Sequence, residues 1–203
     1  MTDTAPIASP TDDNGLTYGP SAIATPANFV TVIRVLAAPF LFSLIINEGA
    51  TWKVFGAWML LASTDGIDGW IARRMGTTRS GAFLDPLADK VLVLGGLCSL
   101  ALVGTFSWVP VLVIGARELG ISLYRVYWGR FGLAIPARTS AKVKTVVQVV
   151  AVASAVFPLL QDTPFVAVAL LWVSVGLALW SGALYLVDGQ RALTRMDHPA
   201  GNP

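Results

Sequence analysis

The chain has 203 residues, 55% of them hydrophobic and 13% charged, with a formal net charge of +2. Soluble domains carry roughly a quarter charged residues, so this composition excludes an ordinary water-soluble enzyme, and it gives no reason to expect a nucleic-acid partner. One cysteine, Cys98, and one histidine, His198, allow no intramolecular disulfide and speak against a structural zinc or haem site.

Residues 1–26 are polar, rich in Pro, Thr, Ser and Asp, and contain no Lys or Arg. They read as a mostly disordered tail without the basic start of a secretory signal. Six apolar segments follow, at 28–46, 54–72, 82–103, 108–128, 141–160 and 164–187. Each is near the ~20 residues a helix needs to cross a bilayer. The runs are too long and too unalternating for barrel strands, and an open strand would leave backbone groups unsatisfied in lipid. The expected fold is an all-α, six-helix membrane bundle over 27–188, closed by a second loose tail at 189–203.

Basic residues sort by side. Arg73, Arg74 and Arg79 fall between the second and third segments; Arg125, Arg130, Arg138, Lys142 and Lys144 between the fourth and fifth or at their facing ends; Arg191 and Arg195 after the sixth. The opposite connections hold Lys53, Glu48 and Asp162. Cytoplasmic loops carry the Lys/Arg excess, so both termini and the basic connections are expected in the cytoplasm. Arg34, Lys90 and Arg117 lie inside segments, where a charge usually faces a partner or a water-filled cavity.

The stretch "DGIDGWIARRMGTTRSGAFLDPLADK", residues 65–90, carries eight charges between two apolar runs. Asp65 and Asp68 are three apart and Asp85 and Asp89 four apart, so each pair shares one helix face. A short turn between them makes the two helices antiparallel neighbours and brings both pairs to one depth. Four close carboxylates call for cations. An all-oxygen set without His or Cys suits Mg²⁺ or Mn²⁺, and two ions could share it. Gly66, Gly69 and Gly81 leave room for close approach to the backbone. Arg73, one turn after Gly69, can reach a phosphate from the face of Asp65 and Asp68. Arg74 and Arg79 read better as interfacial anchors.

These residues resemble the signature of the CDP-alcohol phosphotransferases: two aspartates three apart, Gly, Ala-Arg, Gly, and two aspartates four apart. Here the places are held by Asp65, Asp68, Gly69, Ala72, Arg73, Gly81, Asp85 and Asp89. The resemblance implies transfer of a CDP-linked phosphatidyl or phospho-alcohol group to an acceptor hydroxyl, with release of CMP. It implies Asp65, Asp68 and Asp85 as metal ligands, and Asp89 as the base that takes the acceptor proton and also touches a metal. Gly66, Gly69, Arg73 and Gly81 would line the CDP site. It also implies a homodimer, and Ala151, Ser154 and Ala155 are small residues suited to close helix packing.

"TPANFVTVIRVLAAPF", "GAFLDPLADK", "ARELGISLYR" and "AKVKT" are similar to the glycerophosphate branch of that family. That likeness adds Asn28 and Thr31 to the CDP site. It implies CDP-diacylglycerol and glycerol-3-phosphate as substrates, in contact with membrane lipids. A phosphorylated acceptor needs a cationic pocket, for which Arg34, Arg117, Arg125, Arg138, Lys142 and Lys144 are the candidates. Inositol phosphate or phosphatidylglycerol as acceptor would share the core chemistry. A reading of another class is a divalent-cation or proton-coupled transporter, since carboxylates in membranes often mark ion paths. Against it, the aspartates sit near one face beside arginines, and paired inverted repeats are not evident.

Overall fold

The computed structural model describes the backbone of residues 26–75, 81–129 and 140–197, and the side chains of 29–64, 88–128 and 143–190. Among the described residues all regular structure is helical: α1 (Pro26–Glu48), α2 (Trp52–Met75), α3 (Gly81–Leu102), α4 (Trp108–Gly129), α5 (Ser140–Val156) and α6 (Pro164–Asp197), with one 3₁₀ turn at Pro158–Leu160. The first four helices, of 22 to 24 residues, are about 33–36 Å long at 1.5 Å per residue, close to the ~30 Å apolar thickness of a bilayer. By length and composition, Phe29–Glu48 and Pro164–Gln190 are long and apolar enough to cross a membrane. The outward faces are apolar as well: Phe29, Leu36, Phe40, Leu60, Leu112, Leu123 and Trp180 are exposed. Apolar surface on that scale belongs against lipid rather than water, which makes this a membrane protein.

Chain chemistry sets the helix ends. Pro26 stands at the first position of α1, where its missing N–H is not needed. Gly49 and Gly104 adopt positive φ (63° and 81°) just past α1 and α3, the left-handed stop that glycine permits. The fifth apolar segment stays helical only to Val156, short of residue 160. Pro158 forces extended backbone at Phe157 (φ −79°, ψ 119°), and the chain then makes the 3₁₀ turn. The sixth helix departs from expectation in the other direction. It runs to Asp197 instead of giving way to a loose tail at 189. The hydropathy falls there, but "GQRALTRM" is made largely of good helix formers, so the apolar span ends before the helix does.

Helix α5 packs most extensively on α6, α1 lies along both α2 and α3, and α4 is held by α6 and α3. Helices α2 and α3 are expected as close neighbours; among the described residues they touch, and α1 packs against both. One end of the bundle is an apolar core around Ile45, Val54, Trp58, Leu97, Phe106 and Val156. Gly96 is needed there, because a Cβ would lie 2.7 Å from the Trp58 ring. The indole Nε1–H of Trp58 donates to the Val149 carbonyl at 3.2 Å, fixing α2 against α5. A cavity of about 450 Å³ opens at this end, lined in part by Gly49, Gly104, Thr105, Ser154 and Gln161. Ala151 is fully buried inside the bundle and Ser154 and Ala155 border this cavity. Ala151 therefore packs within one chain and offers no surface to a second copy.

Candidate active site

Apart from Ser99 and Ser174, the buried polar side chains among the described residues gather toward the other end, where α2 leads into α3 and α4 into α5. Thr31 and Arg34 on α1, Glu118 on α4, Lys144 and Gln148 on α5 and Ser181 on α6 are all buried. Burying such groups is costly unless they are paired, and the pairs define the site.

Arg34 is a brace across three helices. Its Nη1 donates to Oδ1 of Asp89 on α3 at 3.2 Å, and its Nε donates to the Thr64 hydroxyl on α2 at 3.2 Å. Thr64 itself donates to the Leu61 carbonyl at 2.6 Å, which orients its oxygen toward the guanidinium. The Arg34 side chain is 1% exposed and the Asp89 side chain 35%. The ion pair thus has a buried cationic half and an accessible carboxylate half.

A second cluster begins one residue further on. Lys90 donates to the Ser122 hydroxyl on α4, and Ser122 donates to the Glu118 carbonyl at 2.7 Å. The Glu118 carboxylate accepts from Arg117 Nη1 at 2.8 Å and from Lys144 Nζ on α5. Arg117 reaches α6 as well, through Nε to the Ala178 carbonyl at 3.1 Å and Nη2 to the Ser181 hydroxyl at 2.8 Å. Gly182 makes room for it, since a Cβ there would stand 3.3 Å from Nε. A guanidinium with several directed bonds is held in one geometry, as a lysine would not be.

Arg125 lies further out. It is exposed, sits 5.5 Å over the Tyr185 ring and donates to the Tyr185 hydroxyl at 3.4 Å. Tyr124 meets Tyr185 edge-on, and Trp128 meets Tyr124 and Tyr127 in tilted and edge contacts. Aromatic and basic residues at this level form the belt expected at a membrane–water boundary.

Of the residues singled out in the sequence, the described side chains bring Asp89 and Arg34 together, with Thr31 buried on α1 one turn before Arg34. They separately join Arg117 to Lys144 through Glu118. Arg34 is thus paired with Asp89, Arg117 and Lys144 with Glu118, and Arg125 with Tyr185. Asp65, Gly66, Asp68, Gly69 and Arg73 are carried by α2, Gly81 and Asp85 by α3, Asn28 by α1 and Lys142 by α5, while their side chains lie outside the described residues, as does Arg138 entirely. The backbone course puts 65 and 68 on the last turns of α2 and 85 and 89 on the first turns of α3, on either side of the connection 76–80. Among the described residues no set of three or more His, Cys, Asp or Glu converges. Thr64, Ser122, Ser181 and Tyr185 are partners that sequence reading missed. Ser122 was within reach of it, being four residues after Glu118 on one helix face.

The sequence matches the family model described as CDP-alcohol phosphatidyltransferase over residues 24–180. It is 34% identical over 188 residues to the "Probable phosphatidylglycerophosphate synthase" of Mycobacterium tuberculosis (strain ATCC 25618 / H37Rv), covering 88% of each chain. It is 38% identical over 166 residues to the "CDP-diacylglycerol--glycerol-3-phosphate 3-phosphatidyltransferase" of Shigella flexneri, and 37% identical over 166 residues to the protein of that name in Escherichia coli (strain K12). Each of these two alignments covers 77% of this chain and 90% of the relative.

Proposed function

The chain belongs to the CDP-alcohol phosphatidyltransferase family, and from that premise we propose that it transfers the phosphatidyl group of CDP-diacylglycerol to glycerol-3-phosphate, giving phosphatidylglycerophosphate and CMP. The relatives' names support the donor and the acceptor. In this reading all six helices span the membrane with both termini in the cytoplasm, and the polar end of the bundle faces the cytoplasm. The basic connections 73–79 and 125–144 support that orientation.

Enzymes of this family are generally dependent on a divalent metal. The residues here fit such an ion. Asp65, Asp68, Asp85 and Asp89 form an all-oxygen set with no His or Cys nearby, the donor chemistry of Mg²⁺ or Mn²⁺. When bound, one or two such ions would neutralise charge on the diphosphate and on the departing CMP. Gly66, Gly69, Arg73 and Gly81, with Asn28 and Thr31 from α1, are assigned to the CDP moiety.

In the transfer, the acceptor hydroxyl oxygen forms a bond to the phosphatidyl phosphorus while the bond from that phosphorus to the CMP oxygen breaks. Asp89 takes the hydroxyl proton. Its carboxylate is accessible, and Arg34, itself held by Thr64, fixes it at a place between α1, α2 and α3. That rigidity is what an in-line displacement requires, because misplacement of the base or the acceptor forfeits the entropic advantage of a preformed site.

One observation supports a phosphorylated acceptor most strongly. Lys90, adjacent in sequence to the base, continues through Ser122 into the cluster of Arg117, Glu118 and Lys144. Glu118 pairs with two cations there, Arg117 and Lys144, and Lys90 adds a third one serine away, which leaves two positive charges in a partly desolvated place. A phosphate monoester carries about −1.5 to −2 at neutral pH and balances them. Arg138, Lys142 and Arg125 are assigned to the same phosphate. The test is CMP release from labelled CDP-diacylglycerol with glycerol-3-phosphate, inositol phosphate and phosphatidylglycerol offered singly. Release dependent on glycerol-3-phosphate is expected; release with inositol phosphate alone would overturn the assignment.

A further inference from the structure

Gln148 breaks the pattern of α5. The buried stripe of this helix runs Lys144, Gln148, Ala151, Val152 and Val156, at the i, i+4 and i+3 spacing of one face. Lys144 at the top is satisfied by Glu118, and Val152 below packs in the apolar core. Gln148 stands on the boundary between them. It is 3% exposed, and its Nε2 is the one buried side-chain nitrogen or oxygen among the described residues without a hydrogen-bond partner. An orphaned buried amide donor is unfavourable, and an apolar residue of similar size would pack here without that cost. A buried donor left open one turn from the cations that Glu118 gathers is chemistry held ready for a ligand.

We infer that Gln148 is a specificity-determining residue of the acceptor site, donating from Nε2 to the acceptor hydroxyl that does not react. This rests on the glycerol-3-phosphate reading above. Gln148 lies one turn from Lys144, about 6 Å along the axis, which is comparable to the length of glycerol-3-phosphate. With the phosphate on Lys144 and Arg117, the carbon chain reaches toward α3, against which α5 packs and which carries Asp89. The C1 hydroxyl is the attacking group. The C2 hydroxyl is then the remaining oxygen to be recognised, and Gln148 is the open donor.

The experiment compares wild type, Gln148→Leu and Gln148→Met in lipid vesicles with two acceptors, glycerol-3-phosphate and 3-hydroxypropyl phosphate, which lacks the C2 hydroxyl. Wild type is expected to favour glycerol-3-phosphate in kcat/KM by about tenfold, the scale of one hydrogen bond to a buried donor. Both variants are expected to lose that preference through a raised KM for glycerol-3-phosphate, to keep the KM for CDP-diacylglycerol, and to melt no lower than wild type. A preference unchanged in folded variants overturns the role of Gln148, as does failure of both variants to fold, which would make Gln148 a structural residue. Absence of glycerol-3-phosphate-dependent CMP release in wild type would instead overturn the reading on which the inference rests.

Discussion

Arg34 and Asp89, 55 residues apart in sequence, meet as an ion pair of 3.2 Å whose arginine is buried and whose aspartate is open. The asymmetry assigns the two sides different work. The arginine is a fixture of the fold, and the aspartate is available for chemistry. Substituting the aspartate should remove chemistry while sparing binding. We expect Asp89→Asn to lower kcat by about 10²–10⁴, the range for loss of a general base, with the KM for CDP-diacylglycerol within a few fold of wild type. Steady-state CMP release in vesicles measures both.

Arg34→Met should act through position. The buried cation leaves, Thr64 loses its guanidinium partner, and Asp89 loses its ion pair with α1. We expect kcat to fall by at least about tenfold, because small displacements of a catalytic group are expensive, and Arg34→Lys to recover only part of it, since one ammonium cannot reproduce the two directed bonds to Asp89 and Thr64. Equal activity in Arg34→Met and wild type would contradict the bracing role.

Glu118 holds Arg117 and Lys144, all three side chains being at most 10% exposed. Glu118→Gln leaves two buried cations without their counter-charge, a change that costs about 3–5 kcal/mol where buried pairs are broken from one side. A large drop in melting temperature is expected. Adding Lys144→Met should restore part of it, since the orphaned ammonium is then gone, and the double variant should be less destabilised than the sum of the singles. Thermal unfolding followed by size-exclusion chromatography in detergent reads both.

Two glycines on neighbouring helices should respond oppositely. At Gly95 a Cβ would run into the Phe42 ring, so α3 and α1 could not keep their approach; at Gly115 nothing stands within 4 Å. Gly95→Ala is expected to cost about 1–3 kcal/mol as overpacking. Gly115→Ala is expected to be neutral or to stabilise by up to about 1 kcal/mol through helix propensity. Melting temperatures of the two variants check this pair.

Much of this architecture was legible in the chain because membrane helices announce themselves locally. Six apolar runs became six helices whose starts differ from the sequence reading by a few residues, and Pro26 and Pro158 mark a beginning and an end. The end of α6 was not legible from hydropathy, which reports where lipid stops and not where hydrogen bonding stops. The site divides in the same way. Asp65, Asp68, Asp85 and Asp89 carry their own spacing, so a linear reading finds them. The pairing of Arg34 with Asp89, and of Arg117 with Ser181, spans 55 and 64 residues and depends on which helices pack together. Charge inside an apolar run pointed to Arg34 and Arg117, but not to their partners. Gln148 had a signal that was passed over: it is the one amide in the apolar run 143–156, four residues after Lys144.

Removing divalent ions from the purified protein should stop CMP release, and Mg²⁺ or Mn²⁺ should restore it, because in the proposed chemistry the ions offset the charge on the diphosphate and the departing CMP. Full activity after exhaustive chelation would contradict the proposed chemistry while leaving the fold untouched.

The most direct measurement is anomalous scattering from crystals of the protein grown with Mn²⁺ and a CDP-lipid. Peaks at ligand distance, roughly 2.0–2.2 Å, from carboxylate oxygens of Asp65, Asp68, Asp85 and Asp89, with the diphosphate alongside, are the predicted result. Well-ordered carboxylates directed away from one another, with the nucleotide bound elsewhere, would contradict the account.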